Sequence, residues 1–515
     1  MADTPNLGFR PDSVVVELVF NVDPTPCPKM APPDSETRQL EVTFLRVEQS
    51  FVTQMDMLWK YTHQAGTAAE RTSLANLAHL PDLLEAITAR QTKVKRSRPT
   101  IATVTFRLED KAKGLSAEKS YAVHDVENVN ALQEHFACHA TALRILNETA
   151  LQTMVNAWEK ALSDLVRWKL SADPDDIPKD RAVPVQKILA FAKLEDLQSY
   201  LVEEEVNDFL RSRTTAEQIK YFKEHFNADL RSLFPLCDDL CEIVVRRHAV
   251  VHAGGTATSE YCRRVARLSL QGTEKPKQGE SLQITPQYFR RAWSVVYAAT
   301  AVLIHLVAKA YARDCKSAQL EEKADSFLLN SAFNCIRERQ YEAAQLVLEY
   351  AVKLHLAKKP SELIVKVNLA QTYKWLGRKD DCKKVLDAQD WTSCSANYRT
   401  CVAVLREDVD EFSKALRIAA QEETIRLQDL YDWPVFQEMR KGPKFSDCVR
   451  EAYGDSLDGV AEMQKPLMFD SRTSHPAQLL AFFEKKFGAL AEHAEITCKL
   501  EPPKAAVAVP ASTTG

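Results

Sequence analysis

Two histidines and an arginine fall within six residues in the run LCEIVVRRHAVVHAGGTATSEYCRRV at 240–265. His248 and His252 are four residues apart, and Arg247 and His252 are five apart. On a helix of 3.6 residues per turn the two imidazoles share a face, and Arg247 lies about 100° around from His248. Ala253, Gly254 and Gly255 follow at once, which predicts that the helix ends there, with His252 near its C-terminus. That end carries partial negative charge, which favours protonated imidazole and draws it toward the working range of a general acid or base. Such a set suits general acid–base chemistry, with a guanidinium to meet negative charge on a substrate or transition state.

Charge around the motif departs from the rest of the chain. The whole sequence carries −4, yet residues 241–295 hold nine Lys or Arg against four Glu, a local balance of +5. Arg246, Arg263, Arg264, Arg290 and Arg291 are therefore read as candidate RNA contacts around Arg247 and His252. The 12 cysteines have no zinc-ligand spacing. Cys237 and Cys241 lie one helical turn apart without a second pair, and free thiols in a reducing cytoplasm are the expectation. His135 and His139 are spaced like a zinc-protease pair, but the glutamate that should follow the first histidine is absent, so they are read as structural. No metal and no cofactor are expected.

The elements that must hold the motif are helical. Apolar residues at Leu132, Phe136, Leu143, Leu146, Leu151, Val155, Trp158 and Leu165 mark one face of a long helix over 128–170. Further helical stretches are expected over 185–211, 214–252 and 286–313, the last apolar on nearly every side, which together predict a four-helix bundle. Ala292–Ala308 holds seventeen uncharged residues, but Ser294, Thr300 and His305 and its length predict a buried bundle helix rather than a membrane span. Beyond Asp314 a pattern repeats. Ala332, Ala344 and Leu348 match Ala370, Cys382 and Leu386 at an offset of 38, and Ala370 and Cys382 match Ala403 and Ala415 at 33. Small residues twelve apart in successive helix pairs resemble tetratricopeptide-type repeats, with Tyr373–Lys374–Trp375–Leu376–Gly377 at the turn between helices. Residues 430–449 look like the end of the array.

Before the bundle, residues 1–127 read as a small mixed α/β domain. SVVVELVF (13–20), TIATVTFRL (100–108) and KSYAVHDV (119–126) read as strands and 48–89 as helix. The proline-rich stretch 23–35 is a loop, KVKRSRP (93–99) a basic connector, and no secretory signal is visible. Residues 456–515 read as a C-terminal helix and a disordered tail. Composition agrees with a mainly α protein of about three domains: 515 residues, 45% apolar, 27% charged and only 13 glycines. That scarcity argues against glycine-rich phosphate loops and large all-β folds.

Arg247–His248–Ala249–Val250–Val251–His252, with Arg246 before it and His–Ala–Gly–Gly at its end, resembles the R-x4–6-H motif of HEPN domains. The likeness extends to the bundle over 128–313. It implies a metal-independent endoribonuclease of the kind found in toxin–antitoxin and anti-phage defence systems, cytoplasmic and homodimeric, with two motifs meeting in one composite site. Attack of an RNA 2′-hydroxyl on its own phosphate needs a base, an acid for the leaving 5′-oxygen and positive charge for the phosphorane, which imidazole and guanidinium can supply. Under it Arg247 contacts the phosphate, His252 transfers a proton, and His248 orients the site or offers a second proton route. The repeats would dock a protein or peptide. HEPN toxins silenced by an adenylylating antitoxin carry tyrosine two residues after the motif histidine; Gly254 stands there, so that regulation is not implied. Two other readings remain open: a non-catalytic adaptor dimerised by the bundle, and an RNA-binding regulator that does not cut.

Overall fold

The computed structural model describes residues 46–63, 65, 102–110, 115–123, 126–174, 177, 183–271 and 275–454, with backbone only from 102 to 143. These all fall in one compact unit spanning 36–457. The expected strand at 13–20, the loop at 23–35, the connector at 93–99, most of the helix read over 48–89, and the tail lie outside the described residues.

Helix α1 covers 46–63. Strands β1 (Ala102–Asp110) and β2 (Leu115–Val123) form an antiparallel hairpin, pairing Ala102 with Val123 through to Asp110 with Leu115. β2 begins four residues earlier than its own alternation suggests, because Phe106–Asp110 offers Leu115–Lys119 a ladder partner. Among the described residues everything else is helical apart from turns, irregular segments and a single β-bridge, so the structure is mainly α as expected.

The bundle is built from α2 (Val126–Ala172), α4 (Leu194–Ser212), α5 (Thr215–Phe226), α7 (Cys237–His252) and α9 (Pro286–Asp314). Of the expected face residues on α2 whose side chains are described, Leu151, Val155, Trp158 and Leu165 are fully buried and Leu146 is half-buried. The stretches read as single helices over 185–211 and 214–252 are each broken. The first gives α3 (Val185–Leu189) and α4, separated near Lys193, which takes an extended backbone ahead of α4. The second gives α5, the one-turn α6 (Leu230–Leu233) and α7. Asn227 closes α5 in the left-handed conformation (φ 51°), Asp229 caps α6 by accepting from Ser232 N, and Pro235 precedes α7. These are ordinary punctuation residues, and they override a continuous apolar period.

Helix α9 packs against both the bundle helices and the first of the helix pairs that follow. It is long and apolar enough to cross a membrane, with a mean hydropathy of 1.6 over its most apolar window, but 83% of that window is buried. The buried bundle helix expected at Ala292–Ala308 is what the packing gives. Thr285 caps it and Pro286 starts it, a pairing that favours a clean helix entry. The helix packs against α2, α5 and α7 and against α10 (Ala318–Arg337) and α11 (Tyr341–Ala351). A buried polar chain fastens it to these last two: His305 Nδ1 meets Tyr350 Oη at 2.8 Å, and its Nε2 meets Asp325 Oδ1 at 3.0 Å.

α10 and α11 begin three successive helix pairs, continued by α12 (Lys359–Trp375) with α13 (Lys379–Asp387) and α14 (Ala396–Arg406) with α15 (Val409–Gln421). All eight residues aligned in the repeat are buried, none above 5% exposed. Small side chains at these points let paired helices approach closely. The turn read at Tyr373–Gly377 is present, and Gly377 takes φ 77° there. The helix pairs close on α16 (Leu427–Asp432), two short 3-10 turns and α17 (Pro443–Tyr453), where Phe436 and Phe445 pack on Phe412 of α15.

One buried carboxyl sets a pH dependence. Glu48 on α1 is 7% exposed, and burial pushes its pKa up from 4.5 to about 8 against the pull of Lys323. The folded chain therefore binds a proton that the unfolded chain has lost. Glu48 contributes stability that is fully present below pH 4.5 and lost as pH rises through about 8. Urea melts of Glu48→Gln should lack this loss of up to about 1.4 kcal/mol per pH unit. Equal pH slopes in variant and wild type would contradict the assignment.

Candidate functional site

Helix α7 carries every residue of the motif, and its sequence sorts partners along its length. Asp238 and Asp239 stand in the first turn, where the helix dipole favours negative charge. Asp239 accepts from Gln271 N at 3.2 Å and from Arg291 at 2.7 Å. One turn on, Glu242 is 2% exposed and is the centre of a closed polar cluster. It accepts from Arg246 Nε at 2.7 Å, Tyr261 Oη at 2.6 Å and Tyr288 Oη at 2.8 Å. The Arg246 guanidinium lies 4.1 Å from the Tyr288 ring centroid. Burial, then the charge of Glu242, holds both phenols above their ordinary range.

Arg246 was expected to contact RNA. At 6% exposure, bound to Glu242 and covered by Tyr288, it is instead part of the bundle interior. Arg247 points to another helix, where its Nη2 donates to Glu159 on α2. Its side chain is 14% exposed against 33% for Glu159, and its Nε is buried without a hydrogen-bond partner. Burial raises the Glu159 carboxyl above its usual range, with Arg247 pulling it down.

His248 and His252 reach the surface together, one turn apart, with ring centroids 5.9 Å apart and planes 21° from parallel. Partial burial is the main cause that lowers the His248 pKa below 6.5, followed by the charges of Arg247, His252 and Arg264. These surroundings favour the neutral form of His248. His252 occupies the last turn of α7, as read from the sequence.

Gly254 and Gly255, at φ 57° and 72°, end α7. Gly255 N bonds back to Ala249 O at 3.2 Å, and its carbonyl accepts from Leu282 N at 2.6 Å. Thr256 then bridges Ser281, so the chain leaves the histidines along a short paired segment before α8 (Ser259–Ala266). The turn requires left-handed backbone at two successive positions, which glycine adopts without penalty. Gly255→Ala should cost about 1 kcal/mol in urea unfolding. An unchanged midpoint would mean that the turn does not fix the end of α7.

The positive region counted along the chain is partly paired in space. Arg263 and Arg264 both bond Glu260, Arg291 bonds Asp239, and Arg290 Nε reaches the carbonyl of Pro286 at 3.4 Å. Arg291 and its partner lie at the opposite end of α7 from His252. The thirteen residue steps from Asp239 to His252 rise about 20 Å along the helix. Of the residues expected from the sequence, Arg247, His248 and His252, with Arg264 near enough to act on His248, form one neighbourhood. Glu159 belongs to that neighbourhood too and was missed in the sequence, since it is 88 residues from its partner. Nothing around it signals the pairing.

Cys237 and Cys241 are buried thiols pushed up to about 12 by burial, hence protonated and unreactive. Among the described residues no group of three or more His, Cys, Asp or Glu is placed to hold a metal ion. His135 and His139 fall within α2, where side chains lie outside the described residues. Compared with family models, curated proteins and solved structures, the chain matches none.

Proposed function

We propose that the chain is an endoribonuclease of HEPN type that cleaves RNA by 2′-hydroxyl attack and needs no metal ion. The observation that carries the reading is the exposed pair His248–His252, 5.9 Å apart at the C-terminal end of α7, with Arg247 directly before the first of them. One imidazole can take the 2′-proton while another returns a proton to the 5′-oxygen, and the guanidinium stabilises charge on the phosphorane. His252 is the principal proton-transfer group and His248, held neutral, the second. A second copy of the chain would bring its own motif against the first, completing the site about a two-fold axis. The cellular role that follows from the resemblance is a cytoplasmic toxin or anti-phage effector, with the helix pairs α10–α15 taking a protein or peptide partner.

The test is incubation of the purified chain with mixed RNA in EDTA, beside a measurement of its mass in solution. Dimer and cleavage together support the reading; a dimer that never cuts removes it.

One observation favours a second reading, a non-catalytic adaptor. Arg246 and Arg247 both spend their charge on carboxylates of their own bundle. In that case replacing either histidine leaves every interaction of the protein unchanged.

A further inference from the structure

Arg246 and Arg247 are adjacent, yet their ion pairs differ in kind. Glu242 is filled by three donors, and Arg246 also has the Tyr288 ring against it. Nothing there is left over. The Arg247–Glu159 pair uses Nη2, while Nε, facing the interior, finds no acceptor. A buried donor without a partner costs free energy that is recovered when the group moves to a better acceptor. Glu159 has its own cost, because burial disfavours its charged form and Arg247 is the cation that offsets this. The pair is therefore the weaker of the two, and it lies at the edge of the structure, with Glu159 33% exposed. The imidazoles, by contrast, are already at the surface.

From this contrast we infer that Glu159 is the gate of the site: its carboxylate occupies Arg247, and an RNA phosphate engages the arginine by displacing it. The inference rests on the ribonuclease reading, and it gives that reading a resting state. In that state the proton-transfer groups are presented while the phosphate-binding cation is withheld. Phosphate and carboxylate are competing anions for one planar guanidinium, and phosphate offers more acceptor oxygens. Removing the competing charge should therefore strengthen RNA binding instead of weakening it, the opposite of what loss of a structural ion pair alone would do.

The experiment uses the full chain and a fluorescein-labelled 2′-O-methyl RNA, which cannot be cleaved, with binding read by anisotropy. Glu159→Gln should bind about tenfold tighter, the scale of one like charge removed from a partly buried contact. The gain should vanish in Glu159→Gln combined with Arg247→Ala. In parallel, Arg247 should be protected from phenylglyoxal in wild type and modified in Glu159→Gln, as mapped by mass spectrometry. Should that variant fail to fold, Glu159→Ala carries the same comparison. Equal or weaker RNA binding by the folded variant overturns the gate. If such a protein still cuts cleavable RNA in a His252-dependent way, the ribonuclease reading stands without the gate. A chain that neither binds nor cuts RNA overturns both.

Discussion

His252→Ala should lower RNA cleavage in EDTA by about 10²–10⁴-fold, the range a positioned general acid or base supplies. His252 is exposed in the last turn of α7, so truncating it removes a reacting group without opening a cavity. Stability should stay within about 0.5 kcal/mol of wild type. His248→Ala should cost less in rate, and it should also remove the rate limb that reports a base titrating below the ordinary histidine range, where its surroundings hold His248. The measurement is a pH–rate profile for wild type and both variants on one RNA. Wild-type cleavage in His252→Ala would sink the assignment; loss of cleavage together with loss of folding would not count for it, which is why both are measured.

Glu242→Ala should destabilise the chain by about 3–5 kcal/mol, the cost of leaving one partner of a buried ion pair uncompensated. Three donors lose their acceptor at once: Arg246, Tyr261 and Tyr288. Tyr261 comes from α8 and Tyr288 from α9, so the carboxylate ties three helices together. Against a total stability of order 5–15 kcal/mol, this is a large fraction. Urea unfolding followed by helical circular dichroism gives the number. Arg246→Ala should fall in the same range and, in buffer where it remains folded, bind 2′-O-methyl RNA as wild type does. A loss below about 1 kcal/mol for Glu242→Ala would mean that the cluster is hydrated and not the closed centre its distances describe. Weakened RNA binding by Arg246→Ala would return that arginine to the phosphate-contacting set.

Much of this architecture is legible in the sequence. Leu151, Val155, Trp158 and Leu165 mark the inner face of α2 because a helix returns the same face every three or four residues. The buried run of α9 and the eight repeat positions were found for the same reason, since close helix packing demands small or apolar residues at fixed spacing. The breaks at Asn227–Asp229 and Pro235 are also written in the sequence, as turn chemistry, but an apolar period runs through them and masks them. Position on α7 was legible for His248 and His252 because helical spacing fixes their shared face and the two glycines fix where the helix stops.

Charge was not legible. A count of Lys and Arg over 241–295 finds a positive region, but it cannot know that Arg247 meets Glu159 and Arg291 meets Asp239. These partners lie 88 and 52 residues apart. The sequence alone determined which helices form and which of their faces are apolar, because backbone geometry repeats locally. Only the tertiary structure decided which arginines are occupied and which histidines are presented. An ion pair depends on separation in space, and separation in space is set by how the helices pack.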